Sequence, residues 1–90
     1  MMKETYHPNA YLSSIRNNKR GLQARTKVLS ILDKHPGNAG TLSAEATLPY
    51  RVVLHHLILL MAEDIVERRK GKPYVWVLTG RGQKRLVDSG

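Results

Sequence analysis

The sequence contains no cysteine. That excludes disulfides and thiolate metal sites, and it suits a reducing interior. A long apolar run is also missing. The longest, Val52 to Ala62, is interrupted by His55 and His56 and is well short of the ~20 residues that span a bilayer. The opening MMKETYHPNAYL has no apolar stretch long enough for a signal peptide. The expectation is a soluble cytoplasmic protein with no membrane partner. Catalytic constellations are absent too: there is no Ser/His/Asp set and no carboxylate pair suited to a cleft. The GRG at residues 80–82 is not by itself a phosphate-binding loop. Adjacent His55 and His56 diverge by about 100° on a helix, and no cysteine or carboxylate cluster completes a first shell for a metal. The expectation is therefore no enzyme, no cofactor, no metal and no small-molecule ligand. Finally, acidic residues are scarce, seven against fifteen Lys and Arg.

What is present in quantity is positive charge. A net charge of +8 and a pI near 10.2 point to a polyanionic partner, nucleic acid first. Its distribution is uneven. Residues 1–35 and residues 65–90 each hold seven basic and two acidic residues, while residues 36–64 hold Arg51 alone against Glu45, Glu63 and Asp64. At 90 residues the chain is a single small domain that buries roughly 60–65% of its unfolded surface, so the core is modest. The division expected is an N-terminal arm with a short helix, residues 1–20, followed by the main domain, residues 21–90.

Hydrophobic periodicity places the elements. Asn9 can cap a short helix from Ala10 to about Asn17, with Leu12 and Ile15 on one side, and NNKRG ends it. Val28, Leu29, Ile31 and Leu32 form the stripe of a longer helix, about Leu22 to Lys34, which HPGNAG terminates. Thr41 is a candidate cap for a brief helix from Leu42 to about Thr47. After the turn at Leu48 and Pro49, a helix runs to about Glu63, burying Val53, Leu57 and Leu60 with Met61 alongside. Its opposite face carries Arg51, Val52, His55, Ile58, Leu59 and Ala62. The period then changes to two. Ile65 to Lys70 and Tyr74 to Leu78 read as strands of a hairpin with GKP at its tip. Thr79 can cap a last helix, about Gly80 to Val87, carrying Arg81, Lys84 and Arg85.

This order resembles the winged helix-turn-helix family, on GTLSAEATLPYRVVLHHLILLMAEDIVERRKGKPYVWVLTGRG, Gly40 to Gly82. LPYRVVLHHL resembles the turn and recognition helix, and DIVERRKGKPYVWVLT the two strands and their wing. LTGRG is similar to the close of small archaeal and bacterial regulators. The resemblance implies a mainly α fold with a small antiparallel β-hairpin, here preceded by an extra N-terminal helix. It also implies duplex DNA binding, as a transcriptional regulator or a chromatin-associated protein. The third helix would enter the major groove, whose base edges carry a readable donor and acceptor pattern. Arg51 and His55 would face the bases, with Tyr50 near the helix start. Arg68, Arg69, Lys70 and Lys72 would lie against phosphate at the wing, with Lys19 and Arg20 among the flanking cations.

Other roles suit some of the same residues. His56 turns towards the core as a packing histidine, and Trp76 and Tyr74 support the wing rather than stack on bases. Val52, Leu54, Ile58 and Leu59 make the expected reading helix unusually apolar. Either sequence readout is weak or Leu12 and Ile15 cover part of the strip, from the same chain or from a partner. Pairing through the N-terminal helix would make a homodimer; folding back would make a monomer. A module that docks a protein partner on the apolar strip is the rival function.

Overall fold

The computed structural model describes residues 6–13 and 17–80. Three helices, α1 (Lys19–Leu32), α2 (Ala39–Ala46) and α3 (Tyr50–Ala62), are followed by an antiparallel hairpin of β1 (Val66–Arg69) and β2 (Val75–Leu78). The architecture is mainly α with a two-stranded wing, as the sequence implies. Ile15 and the expected helix beyond Gly80 lie outside the described residues.

Helices α1 and α2 begin where an asparagine side chain caps the first turn, and α3 begins at a proline. Asn18 accepts the Gly21 N–H at 2.7 Å, so α1 starts three residues earlier than the apolar stripe suggests. NNKRG is thus the start of this helix rather than a break before it. Asn38 accepts the Thr41 N–H at 2.8 Å and starts α2 at Ala39, ahead of the expected Thr41 cap. Pro49 is the N-cap of α3, where its missing N–H costs nothing.

The N-terminal helix expected from Ala10 to Asn17 is not formed over its described residues. A 3-10 turn, Pro8–Ala10, is capped by His7, whose Nδ1 accepts the Asn9 N–H at 3.0 Å, and Tyr11 is extended. The reason is competition from side-chain hydrogen bonds, one set local and one long-range. The Leu12 N–H and C=O go to the Asn17 side chain at 2.7 and 2.8 Å, and the Ser13 N–H goes to Glu63. Those groups would otherwise serve a helix ladder.

One core serves all elements. Val28, Leu29 and Leu32 of α1 meet Leu42 of α2, Val53, Leu57 and Leu60 of α3, and Ile65, Val66, Trp76 and Leu78 around the hairpin. Ala10 and Leu12 of the arm belong to the same cluster. Burying each of these larger side chains contributes roughly 1.5–3 kcal/mol. Leu12 is thus buried within its own chain.

The wing is anchored at both sides. In the hairpin Arg68 is paired with Trp76 and Val66 with Leu78. Trp76 also exchanges both backbone bonds with Gly37, at 2.8 and 3.2 Å, so the α1–α2 connection supplies a one-residue third strand. This ties the wing to the helical body.

Between α2 and α3, Thr47 adopts the left-handed conformation, φ 56° and ψ 48°. Its N–H and that of Leu48 close onto Ala44 and Ser43 carbonyls, a C-terminal motif that usually holds glycine. A β-branched residue is strained there. Thr47→Gly should raise stability by about 0.5–1 kcal/mol, net of the extra freedom glycine gives the unfolded chain. The urea midpoint checks it; a lower midpoint would mean that the threonine side chain outweighs its backbone cost.

Candidate nucleic-acid interface

Helix α3 divides cleanly by phase. Val53, Leu57 and Leu60 are fully buried, whereas Tyr50 is 52% and Ile58 47% exposed. Arg51, His55 and Ala62 are exposed on the side with Ile58. Separations of four, seven and eleven residues from Arg51 return to within about 40° of it on a 3.6-residue helix. The outer stripe is therefore Arg51, His55, Ile58, Ala62, with Tyr50 at its N-terminal end. No acidic residue occupies the first turn of α3, so the positive end of its dipole is uncompensated.

The wing presents its cations on β1 and the tip. The Arg68 guanidinium lies over the Tyr74 ring, 4.4 Å from the centroid, and 5.9 Å from the Trp76 ring. Trp76 itself is buried and Tyr74 half-exposed, so the pair supports Arg68 instead of offering open faces for bases. Arg69 reaches Glu67 at 3.4 Å, an exposed pair of little strength. Lys70 and Lys72 are exposed, as are Arg20 and Lys19 at the start of α1. Arg51, Lys70 and Lys72 take part in none of the ion pairs seen among the described residues. All nine cationic, aromatic and histidine positions expected at the interface are thus on the surface, in two groups on α3 and the wing and a third on α1.

Between α1 and α3 runs an open groove of about 810 Å³. Ala24, Leu48, Pro49, Val52 and Leu59 give it an apolar lining, and Arg20, Lys27 and Arg51 stand at its margins. Val52 and Leu59 therefore belong to the groove, and Ile58 to the outer stripe. Leu12 packs in the core and is not part of the groove lining.

Beneath the groove sits a side chain that composition misplaces. Arg25 is only 3% exposed, so one of the seven basic residues in the first flank is not available to a polyanion. Its Nε donates to the Ala10 carbonyl at 2.6 Å and its Nη2 to Asn17 Oδ1 at 3.1 Å. Its Nη1 lies 3.2 Å from His56 Nδ1. A guanidinium only donates, so His56 Nδ1 accepts and the ring proton is on Nε2. Burial holds the guanidinium pKa below its ordinary value, while Glu63 raises it. Helical phase carries this signal: Arg25 lies three before Val28 and four before Leu29, on the apolar stripe.

The rest of the arm is fastened to the same two helices. His7 N–H donates to Thr26 Oγ1 at 3.0 Å, and His7 Nε2 meets Asp33 Oδ2 at 2.9 Å. Ser13 donates its N–H and hydroxyl to the Glu63 carboxylate, at 2.8 and 2.6 Å. His56 is buried and contacts His55 edge to face, with centroids 5.1 Å apart. The arm thus reaches, through Arg25 and His56, to the base of the outer stripe.

The sequence matches no protein-family model, and no curated protein matches it. Among solved structures, the chain is similar to a MarR family transcriptional regulator from Silicibacter pomeroyi DSS, known from its crystal structure. The TM-score is 0.67 at 21% identity, over 73% of this chain and 46% of that one. The chain thus spans just under half the length of that regulator. The winged-helix fold is shared.

His56 gives a stability prediction. Burial first, then the Arg25 and His55 charges, lower its pKa to about 4 in the folded protein, from an ordinary 6.5. Between those values the unfolded chain binds the proton and the folded chain does not, so stability falls as pH drops through this window. The loss expected is on the order of 1–2 kcal/mol after discounting for solvent screening. Urea unfolding at several pH values from 7 to 4.5 measures it. His56→Gln, whose amide oxygen can accept from Arg25, should flatten the part of the slope that begins near pH 6.5.

Proposed function

We propose that the protein binds duplex DNA, as a small transcriptional regulator or a chromatin-associated protein. In this reading α3 lies in the major groove, and the wing follows the phosphate backbone. The observation that carries it is the outer surface of α3, where Arg51 and His55 stand exposed one turn apart on a winged-helix scaffold. Arginine can take both acceptors of a guanine, a contact worth roughly 1–3 kcal/mol of discrimination. Arg68, Arg69, Lys70, Lys72, Lys19 and Arg20 hold the duplex through phosphates, contacts that position without reading sequence. A fold shared with a regulator supports the reading at the level of scaffold.

The homodimer belongs to the same proposal, since two half-sites double the contacts. The rival, a winged helix that docks a protein partner, draws on the open apolar groove between α1 and α3. It requires no salt-dependent affinity for DNA.

Titration of a duplex at two or more salt concentrations separates the two. With about 4–7 phosphates neutralised per chain, log K should fall against log salt with a slope of about −4 to −6. Replacing Arg69, Lys70 and Lys72 together by Ala should weaken binding on every duplex and flatten the slope by about 2–3. Unchanged affinity in that variant would remove the wing from the mechanism. Arg51→Ala should instead lose discrimination between a preferred and a random duplex more than it loses random binding. Equal loss on both would make Arg51 a phosphate contact.

A further inference from the structure

The outer stripe of α3 changes character along its length. Tyr50, Arg51 and His55 supply hydrogen-bonding groups over its first half. Beyond them stand Ile58, 47% exposed, and the exposed Ala62, with no polar side-chain atom at either. Ile58 is not needed by the core, which Val53, Leu57 and Leu60 fill from the opposite phase without any exposure. It lies seven residues from Arg51, about 10 Å along the axis and within about 20° of its direction. A helix that presents Arg51 and His55 to a groove presents Ile58 to the same groove, about three base steps further on.

Resting on the reading of α3 as the DNA-facing helix, we infer that Ile58 is a specificity-determining residue that reads the C5-methyl group of thymine. The chemistry of the groove leaves an aliphatic side chain this one means of discrimination. Thymine is the base whose major-groove edge carries an apolar group, and aliphatic contact with it is a recognised form of readout. The same side chain penalises other bases. Pressed against guanine N7 and O6, or the cytosine amino group, it strips water from polar atoms and offers nothing in return. The preferred site therefore carries A·T pairs opposite the C-terminal half of α3, beside the guanine that Arg51 can engage. The neutrality of the middle of the sequence, a single cation on the reading helix, follows from this division. Phosphate attraction is delegated to the wing and to α1, and α3 discriminates by one arginine, one histidine and one apolar contact.

The test uses two versions of an alternating A·T duplex, one with thymine and one with deoxyuridine throughout. The second lacks every methyl group and keeps every hydrogen-bonding atom. Alternation offers thymine in all registers. Fluorescence anisotropy with the full chain should show the thymine duplex bound about three- to fivefold more tightly per methyl contacted. In Ile58→Ala the ratio should fall towards one, with the loss confined to the thymine duplex. The Arg69, Lys70 and Lys72 triple Ala variant should weaken both duplexes and keep the ratio. Circular dichroism checks that the exposed Ile58→Ala substitution leaves the fold intact. Equal binding of the two duplexes by the unsubstituted protein would overturn the inference while leaving DNA binding in place. A ratio that survives in Ile58→Ala would overturn it as well, because duplex shape or another residue would then be the cause. No affinity for either duplex at low salt would overturn the DNA reading itself, and this inference with it.

Discussion

The buried guanidinium of Arg25 fixes the relation between the arm, α1 and α3. From α1, its three nitrogens reach the Ala10 carbonyl and Asn17 Oδ1 in the arm and His56 Nδ1 on α3. A buried cation is costly unless its donors are met, and here planar geometry distributes them in fixed directions. That constraint propagates. Gly21 sits one turn before Arg25, and a Cβ there would meet Nη1 at 2.9 Å, so the helix accepts a residue of poor propensity in its first turn. His56 must keep Nδ1 unprotonated to accept, which sets the ring tautomer directly behind the exposed His55.

With the inner side of α3 fixed by Val53, Leu57, Leu60 and His56, its outer side is free of structural duties. In the hairpin, Arg68, Tyr74 and Trp76 share one face: Trp76 is buried and its backbone pairs with Gly37, while the guanidinium of Arg68, its register partner, lies exposed over Tyr74. Rigid inner contacts thus orient outward cations on two elements, which is how a small core can hold an interaction surface steady. The charge relevant to a polyanion is smaller than the formal +8 suggests, since Arg25 is internal.

The alternating and 3.6-residue patterns by themselves determined the three helices, the hairpin and the buried residues of α3, because burial on one side of an element imposes its period on the sequence. They also placed His56 inward and Tyr50, Arg51 and His55 outward, since the phase of a helix is set once Val53 and Leu57 are assigned to the core. Helix starts were less legible. Asn18 and Asn38 each lie three residues before the N–H they cap, and Thr41 offered a competing cap while the apolar stripe of α1 starts only at Leu22. What only the tertiary structure decided were contacts between residues remote in the chain. Glu63 took the Ser13 N–H that an N-terminal helix would have used, Trp76 found Gly37, and Arg25 turned inward to meet Ala10 and His56. Propensity and charge are local quantities, and none of them records that a carbonyl fifteen residues away or a ring thirty-one residues away will complete a guanidinium's hydrogen bonds in the folded chain.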